Sequence, residues 1–152
     1  MLAIKKVIDI KHKHNLNENI EAFDQVELTW FDMQKPNLTA LTNKGINFMV
    51  KAQFTHLHDH DILLCDDGYR IEVIRAKDEI YQLEFQNSLT FAKNAYAIGN
   101  RHQPLFFEDL KITVLADISI NDIIKNLQQD KQVKVSRLLG YFSPNGKAHH
   151  SH

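Results

Sequence analysis

From Val26 to Phe31 the chain alternates, with Val26, Leu28 and Trp30 on one face and Glu27, Thr29 and Phe31 on the other. A period of two predicts a half-buried strand. Pro36-Asn37 breaks the chain, Leu38 to Thr42 predicts a further strand, and Asn43-Lys44-Gly45 turns it into Ile46 to Val50. The apolar run Ile62 to Cys65, turned by Asp66-Asp67-Gly68 into Arg70 to Ile74, predicts a hairpin. Short strands and turns over about 75 residues point to a small all-β unit.

The period changes after Ala76-Lys77-Asp78. Glu79 to Phe85 still alternates as a strand. Asn87-Ser88 then offers a helix cap, and Leu89, Ala92, Ala95, Tyr96 and Gly99 recur at helical spacing. Gly99-Asn100 should close that helix, because both residues tolerate the left-handed conformation of a helix C-terminus. Leu105 to Phe107 and Lys111 to Leu115 predict two more strands. A second helix follows, with Ser119 as its cap, Asp122 in its first turn and Ile118 stapled onto Ile123. Its core stripe is Ile120, Ile123, Ile124 and Leu127. Gln132 to Leu139 reads as a last strand. The order β-α-β-β-α-β is the ferredoxin-like pattern. The expected class is therefore α+β: a small N-terminal all-β domain (residues 1–76), a ferredoxin-like βαββαβ domain (77–143) and a flexible tail (144–152). Each domain is small enough that docking or dimerisation would help it.

Charge and composition remove several classes of function. The chain has 152 residues, 43% of them apolar, with 18 basic and 19 acidic side chains and a net charge of −1. That balance gives no drive toward nucleic acid or an anionic membrane. No apolar run approaches the ~18 residues that would suggest a spanning helix. The segment MLAIKKVIDI lacks the apolar run and cleavage site of a secretory signal. A lone cysteine, Cys65, cannot form an internal disulfide, which fits a cytoplasmic protein, and its apolar setting fits a small buried hydrophobe.

Nine histidines change the picture more. They fall at His12 and His14, at His56, His58 and His60, at His102, and at His149, His150 and His152. Neutral imidazole is the commonest metal ligand, so clustering raises a metal-binding reading. In a strand, His56, His58 and His60 would share a face and could present three imidazoles together. The segment runs straight into Asp61 and a strand, however, which favours a solvated polar turn. Lysines flank His12 and His14 and repel a cation, so both are expected to face solvent. The tail after Pro144-Asn145-Gly146 is expected to be a disordered arm bearing three potential ligands. His102, just past a helix end, reads on general grounds as an ordinary structural histidine.

The segment Tyr96-Ala97-Ile98-Gly99-Asn100-Arg101-His102-Gln103-Pro104-Leu105 resembles the UreE family of urease accessory proteins, whose signature is an aromatic residue followed by a Gly-Asn-Arg-His motif. The order of elements beyond Asp78, the turn from Leu57 to Leu63 and the histidine-bearing tail are similar to that family as well. The resemblance implies a nickel metallochaperone that is not an enzyme. It implies an N-terminal domain that binds peptides or partners, and a homodimer formed through the second domain. Two copies of His102 would meet at the dimer interface, and His149, His150 and His152 would complete the coordination. The implied partners are apo-urease and the other urease accessory proteins, including a GTPase-containing complex. Zinc or copper should substitute for nickel in vitro, copper more tightly on intrinsic grounds. Affinity should fall as imidazole protonates. Arg101 should serve structure or partner contacts, since a guanidinium does not coordinate a cation.

The chain also departs from the family. Some members carry a histidine where Ala97-Ile98 stand, and an Asp-His pair where Asp117-Ile118 stand. The tail is short, and His60 occupies a turn position that usually holds glycine. Two other readings remain at this level. The β domain could hold a peptide as a scaffold, with incidental histidines. Alternatively, His102 could act as a general base in a hydrolase, although no nucleophile motif accompanies it.

Overall fold

The computed structural model describes residues 4–12, 20–51 and 56–146. The chain divides into two compact units, Met1–Ala76 and Lys77–His152.

The first unit is a six-stranded sheet among the described residues: β1 (Lys5–Lys11), β2 (Asp24–Leu28), β3 (Asn37–Leu41), β4 (Asn47–Lys51), β5 (Ile62–Cys65) and β6 (Arg70–Arg75). Their order is β2-β6-β5-β1-β4-β3, with β1–β4 and β2–β6 parallel and the other pairs antiparallel. Val26 and Leu28 on β2, Phe48 and Val50 on β4, Leu63 on β5 and Ile71 and Val73 on β6 alternate into one core. The expected strand from Val26 to Phe31 stops early. Thr29 accepts a hydrogen bond from the Asp32 amide and caps a short helix, α1 (Trp30–Met33). A threonine hydroxyl beside a free amide favours a helix start over strand continuation.

Antiparallel pairing of β1 with β5 positions the residues that follow. The register runs Ile10↔Leu63 and Lys11↔Ile62. One further step places His12 opposite Asp61, and the turn His58–Asp61 enters β5 at that point.

The second unit contains β7 (Asp78–Glu84), α2 (Ser88–Asn100), β8 (Leu105–Glu108), β9 (Lys111–Leu115), a 3-10 turn (Ile118–Ile120), α3 (Asn121–Gln128) and β10 (Lys134–Gly140). The sheet is antiparallel throughout with order β10-β7-β9-β8, the ferredoxin-like arrangement expected from the sequence. Tyr81 and Leu83, Ile112 and Val114, and Leu105 supply the helix-facing core of the sheet. Ile120, Ile123, Ile124 and Leu127 of the expected stripe are all buried against it.

Of the residues at helical spacing on α2, Leu89 (64% exposed), Tyr96 (72% exposed), Ala92 and Gly99 face outward, and Ala95 is partly buried. Ile98, with Phe91, Ala95 and Ala97 partly buried, faces the core instead. Ser119 does not cap the second helix. Asp117 accepts from the Ser119 amide at 2.8 Å and caps the 3-10 turn, while Ile118 is 84% exposed and staples nothing. A carboxylate is a strong cap acceptor, and its position two residues earlier moves the start of the turn.

After β10 the chain runs to the opposite edge of the sheet. Gly146 pairs with Leu105 of edge strand β8 through two backbone hydrogen bonds of 2.9 Å. The Asn145 side chain extends the pairing, accepting from the Phe107 amide and donating to the Phe107 carbonyl, both at 2.9 Å. A Cβ on Gly146 would stand 2.8 Å from Phe107 Cε1, so a larger residue there would have to displace the Phe107 ring. No helix among the described residues is long and apolar enough to cross a membrane.

Candidate metal centre

Asn87 caps α2, accepting from the Thr90 amide at 2.8 Å, and the helix runs through Gly99-Asn100. The expected left-handed closure at those two residues does not occur. The helix instead tightens at its end, with the Arg101 amide donating to Ile98 O and the His102 amide to Gly99 O, each at 3.0 Å. The left-handed residue is His102 itself, at φ 57°. Histidine tolerates that region better than most residues, although glycine is the usual occupant. The backbone therefore reverses at the motif histidine, whose side chain is exposed. Strained backbone of this sort concentrates at functional sites.

Arg101 fixes the position of that helix end. Its guanidinium makes two hydrogen bonds to the Asp122 carboxylate, at 2.9 and 2.8 Å, and one to the Ser119 carbonyl at 2.7 Å. One side chain thus joins the end of α2 to the beginning of α3. The bidentate pair holds the Asp122 carboxyl down at about 2, against an ordinary 3.8, and raises Arg101. Because the folded value is depressed, the pair's contribution is present above the ordinary carboxylate range and disappears as pH falls through about 2. A carboxyl-detected NMR titration should find Asp122 still ionised at pH 3, and Arg101→Gln should return its midpoint toward 3.8. An Asp122 midpoint near 3.8 in the unsubstituted protein would contradict the pairing.

His149, His150 and His152 lie outside the described residues. Their point of departure is described. Gly146 is hydrogen-bonded to Leu105, three residues from His102. Three residues span at most ~11 Å, so the tail starts within that distance, plus one backbone pairing, of the motif histidine.

The remaining histidines divide differently from the sequence expectation. His14 lies outside the described residues. His12 was expected to face solvent, but its side chain is only 20% exposed and its Nδ1 lies 2.9 Å from Asp61 Oδ2. Cross-strand register, invisible in the local pattern, draws it out of the lysine-flanked context. His58 Nδ1 lies 3.7 Å from the same carboxylate oxygen. His60 occupies a left-handed turn position, at φ 68°, and turns to Glu72 (3.0 Å) and Asp59 (3.4 Å). The three alternate histidines therefore do not present one ligand face, because a turn separates His58 from His60. Asp61, 1% exposed, reads as a turn residue in the sequence, but the fold makes it a third potential ligand. The available signal was the spacing His58-x-x-Asp61, which a tight turn closes.

Comparison with known proteins bears on both units. The model of the UreE urease accessory protein N-terminal domain matches residues 4–76, and that of the C-terminal domain matches residues 78–152. The urease accessory protein UreE of Aliarcobacter butzleri is 61% identical over 150 residues, covering 99% of this chain and 97% of its own. That of Lysinibacillus sphaericus is 27% identical over 98% of this chain and 100% of its own. That of Chelativorans is 29% identical over 86% of this chain and 81% of its own. With both domains matched in order along nearly the whole chain, the protein belongs to the UreE family of urease accessory proteins.

Proposed function

We propose that this chain is a cytoplasmic nickel carrier that works as a homodimer and hands its ion to apo-urease together with the other accessory proteins, a GTPase-containing complex among them. It performs no catalysis. The cargo site consists of His102 from each of two copies, closed by His149, His150 and His152. The observation that carries this reading is the position of His102. An exposed imidazole is held left-handed at the end of a helix whose outward face bears Leu89 and Tyr96. An apolar stripe left in solvent at i and i+7 favours cover by another surface, and a second copy would bring the two helix ends together.

Two imidazoles leave several nickel positions open, and histidines on a short arm can fill them and then withdraw. Such a site binds and still releases, as a carrier must. Borderline metals suit imidazole, so nickel, zinc and copper all fit the donor set. Preference for nickel then comes from metal supply and from the partner. Calorimetry with nickel on the full chain should give about one tightly held ion per two chains, as a site on a twofold axis requires. Sedimentation should show a dimer before and after loading. A monomer that binds nickel tightly by itself would overturn the shared site.

A further inference from the structure

The geometry points to a second divalent-cation site, in the N-terminal unit, formed by His12, His58 and Asp61 and suited to zinc. Each residue offers one ligand atom, and all three atoms lie within 4.8 Å of one another. Two imidazole nitrogens and one carboxylate oxygen form a typical zinc set, with a fourth position left to water. Ligand atoms around a tetrahedral zinc stand ~3.4 Å apart, given bonds of about 2.0–2.2 Å. The two contacts to Asp61 Oδ2, 2.9 Å from His12 and 3.7 Å from His58, lie on either side of that value. Small side-chain rotations are enough to close the set.

The site is built from two separate pieces of backbone, the end of β1 and the turn His58–Asp61. His12 arrives from the end of β1 by the β1–β5 register. Asp61 is fixed by its turn: the His58 amide donates to Asp61 Oδ2 at 2.8 Å, and the Val73 amide donates to its carbonyl at 2.8 Å. His58 stands over the same carboxylate, with its ring edge-on to that of His12 at 5.3 Å.

An independent observation also points to a ligand. Asp61 is 1% exposed, and its second carboxylate oxygen, Oδ1, has no hydrogen-bond partner among the described residues. A buried carboxylate oxygen left unpaired is unfavourable, and a cation on the carboxylate offsets that penalty. His60, engaged with Glu72 and Asp59, is not needed. An ion here would clip the end of β1 to the entry of β5, and so would stabilise the N-terminal unit.

The test uses the full chain with His102, His149, His150 and His152 all changed to alanine, so that no residue of the proposed nickel site remains. Zinc alone is the probe. This variant should retain about one zinc per chain, the stoichiometry of a closed His-His-Asp set. Long-range proton–nitrogen NMR spectra should show the ring nitrogens of His12 and His58 shifting on loading. Adding His12→Gln and His58→Gln should weaken zinc by at least about 100-fold, more than loss of an outer-shell partner does. The thermal midpoint should rise with zinc only while both histidines are present. Circular dichroism checks that the substituted chains are folded, and the partly exposed histidines can be exchanged without touching Asp61. No zinc uptake by the folded four-histidine variant, or equal uptake after the two further substitutions, would overturn the proposal. Neither result would bear on the nickel stoichiometry of the unsubstituted chain.

Discussion

Changing His102 to alanine should lower nickel affinity by at least about 100-fold, beyond what loss of an outer-shell partner of a metal ligand does. In the proposed twofold site one substitution removes two ligands, which is why the effect should exceed that of any single tail histidine. The apo fold should lose less than about 1 kcal/mol, because His102 is exposed, although alanine adopts φ 57° less readily than histidine does. His102→Gly sharpens the contrast. Glycine adopts that conformation without a Cβ penalty, so apo stability should rise by about 1 kcal/mol while nickel is lost to the same degree. Calorimetry gives the first quantity and thermal unfolding of metal-free protein the second. Unaltered nickel binding in either variant would remove His102 from the site. A glycine variant less stable than the original would show that the side chain has a structural task.

The second large effect should come from Ile98. It is the one fully buried residue of α2 among those described, at 0% exposure, and it anchors a helix on which Phe91 is only partly buried and Leu89 and Tyr96 face outward. Ile98→Ala should destabilise the second unit by about 3 kcal/mol, through lost transfer free energy and the cavity left behind. That is a large fraction of what a domain of this size possesses. Tyr96→Ala, two residues away on the opposite face, should stay within about 0.5 kcal/mol in the dissociated chain. It should weaken self-association instead. Urea unfolding at low protein concentration separates the two. Equal destabilisation by both substitutions would mean that Tyr96 packs within its own chain.

What the sequence disclosed depended on how local the determinant was. Ile120, Ile123, Ile124 and Leu127 stand at helical spacing because one helix face must meet one sheet, and that stripe is buried as read. Ile62–Cys65 and Lys111–Leu115 are short runs bounded by turns, and their limits agree with the structure. The strand Lys5–Lys11 gave no such signal. Its lysines interrupt the apolar positions, and a register shift between Val7 and Asp9 breaks the alternation. On α2 the helical spacing marks the helix but not its core face, since periodicity identifies a face without saying what covers it. At the site, the Gly-Asn-Arg-His motif singled out His102, but only the structure shows that the histidine, and not the glycine, takes the left-handed turn. The approach of His12 to Asp61 depends on pairing between strands about fifty residues apart, which no local pattern carries.

The pairing of Gly146 with Leu105 has a consequence for how the proposed carrier could hold and release its ion. It sets the root of the arm close to the loop of His102, so His149 has only three residues of slack and His152 six, at most ~11 and ~21 Å. Over such short tethers a ligand is present at an effective concentration in the millimolar range, whatever the concentration of protein. Capture by the arm is then an intramolecular closure, and release needs only competition for a few residues of chain, with the sheet left intact. Lengthening the segment between Gly146 and His149 should dilute those histidines around the ion, so a close root would make the proposed clasp tight yet easily exchanged.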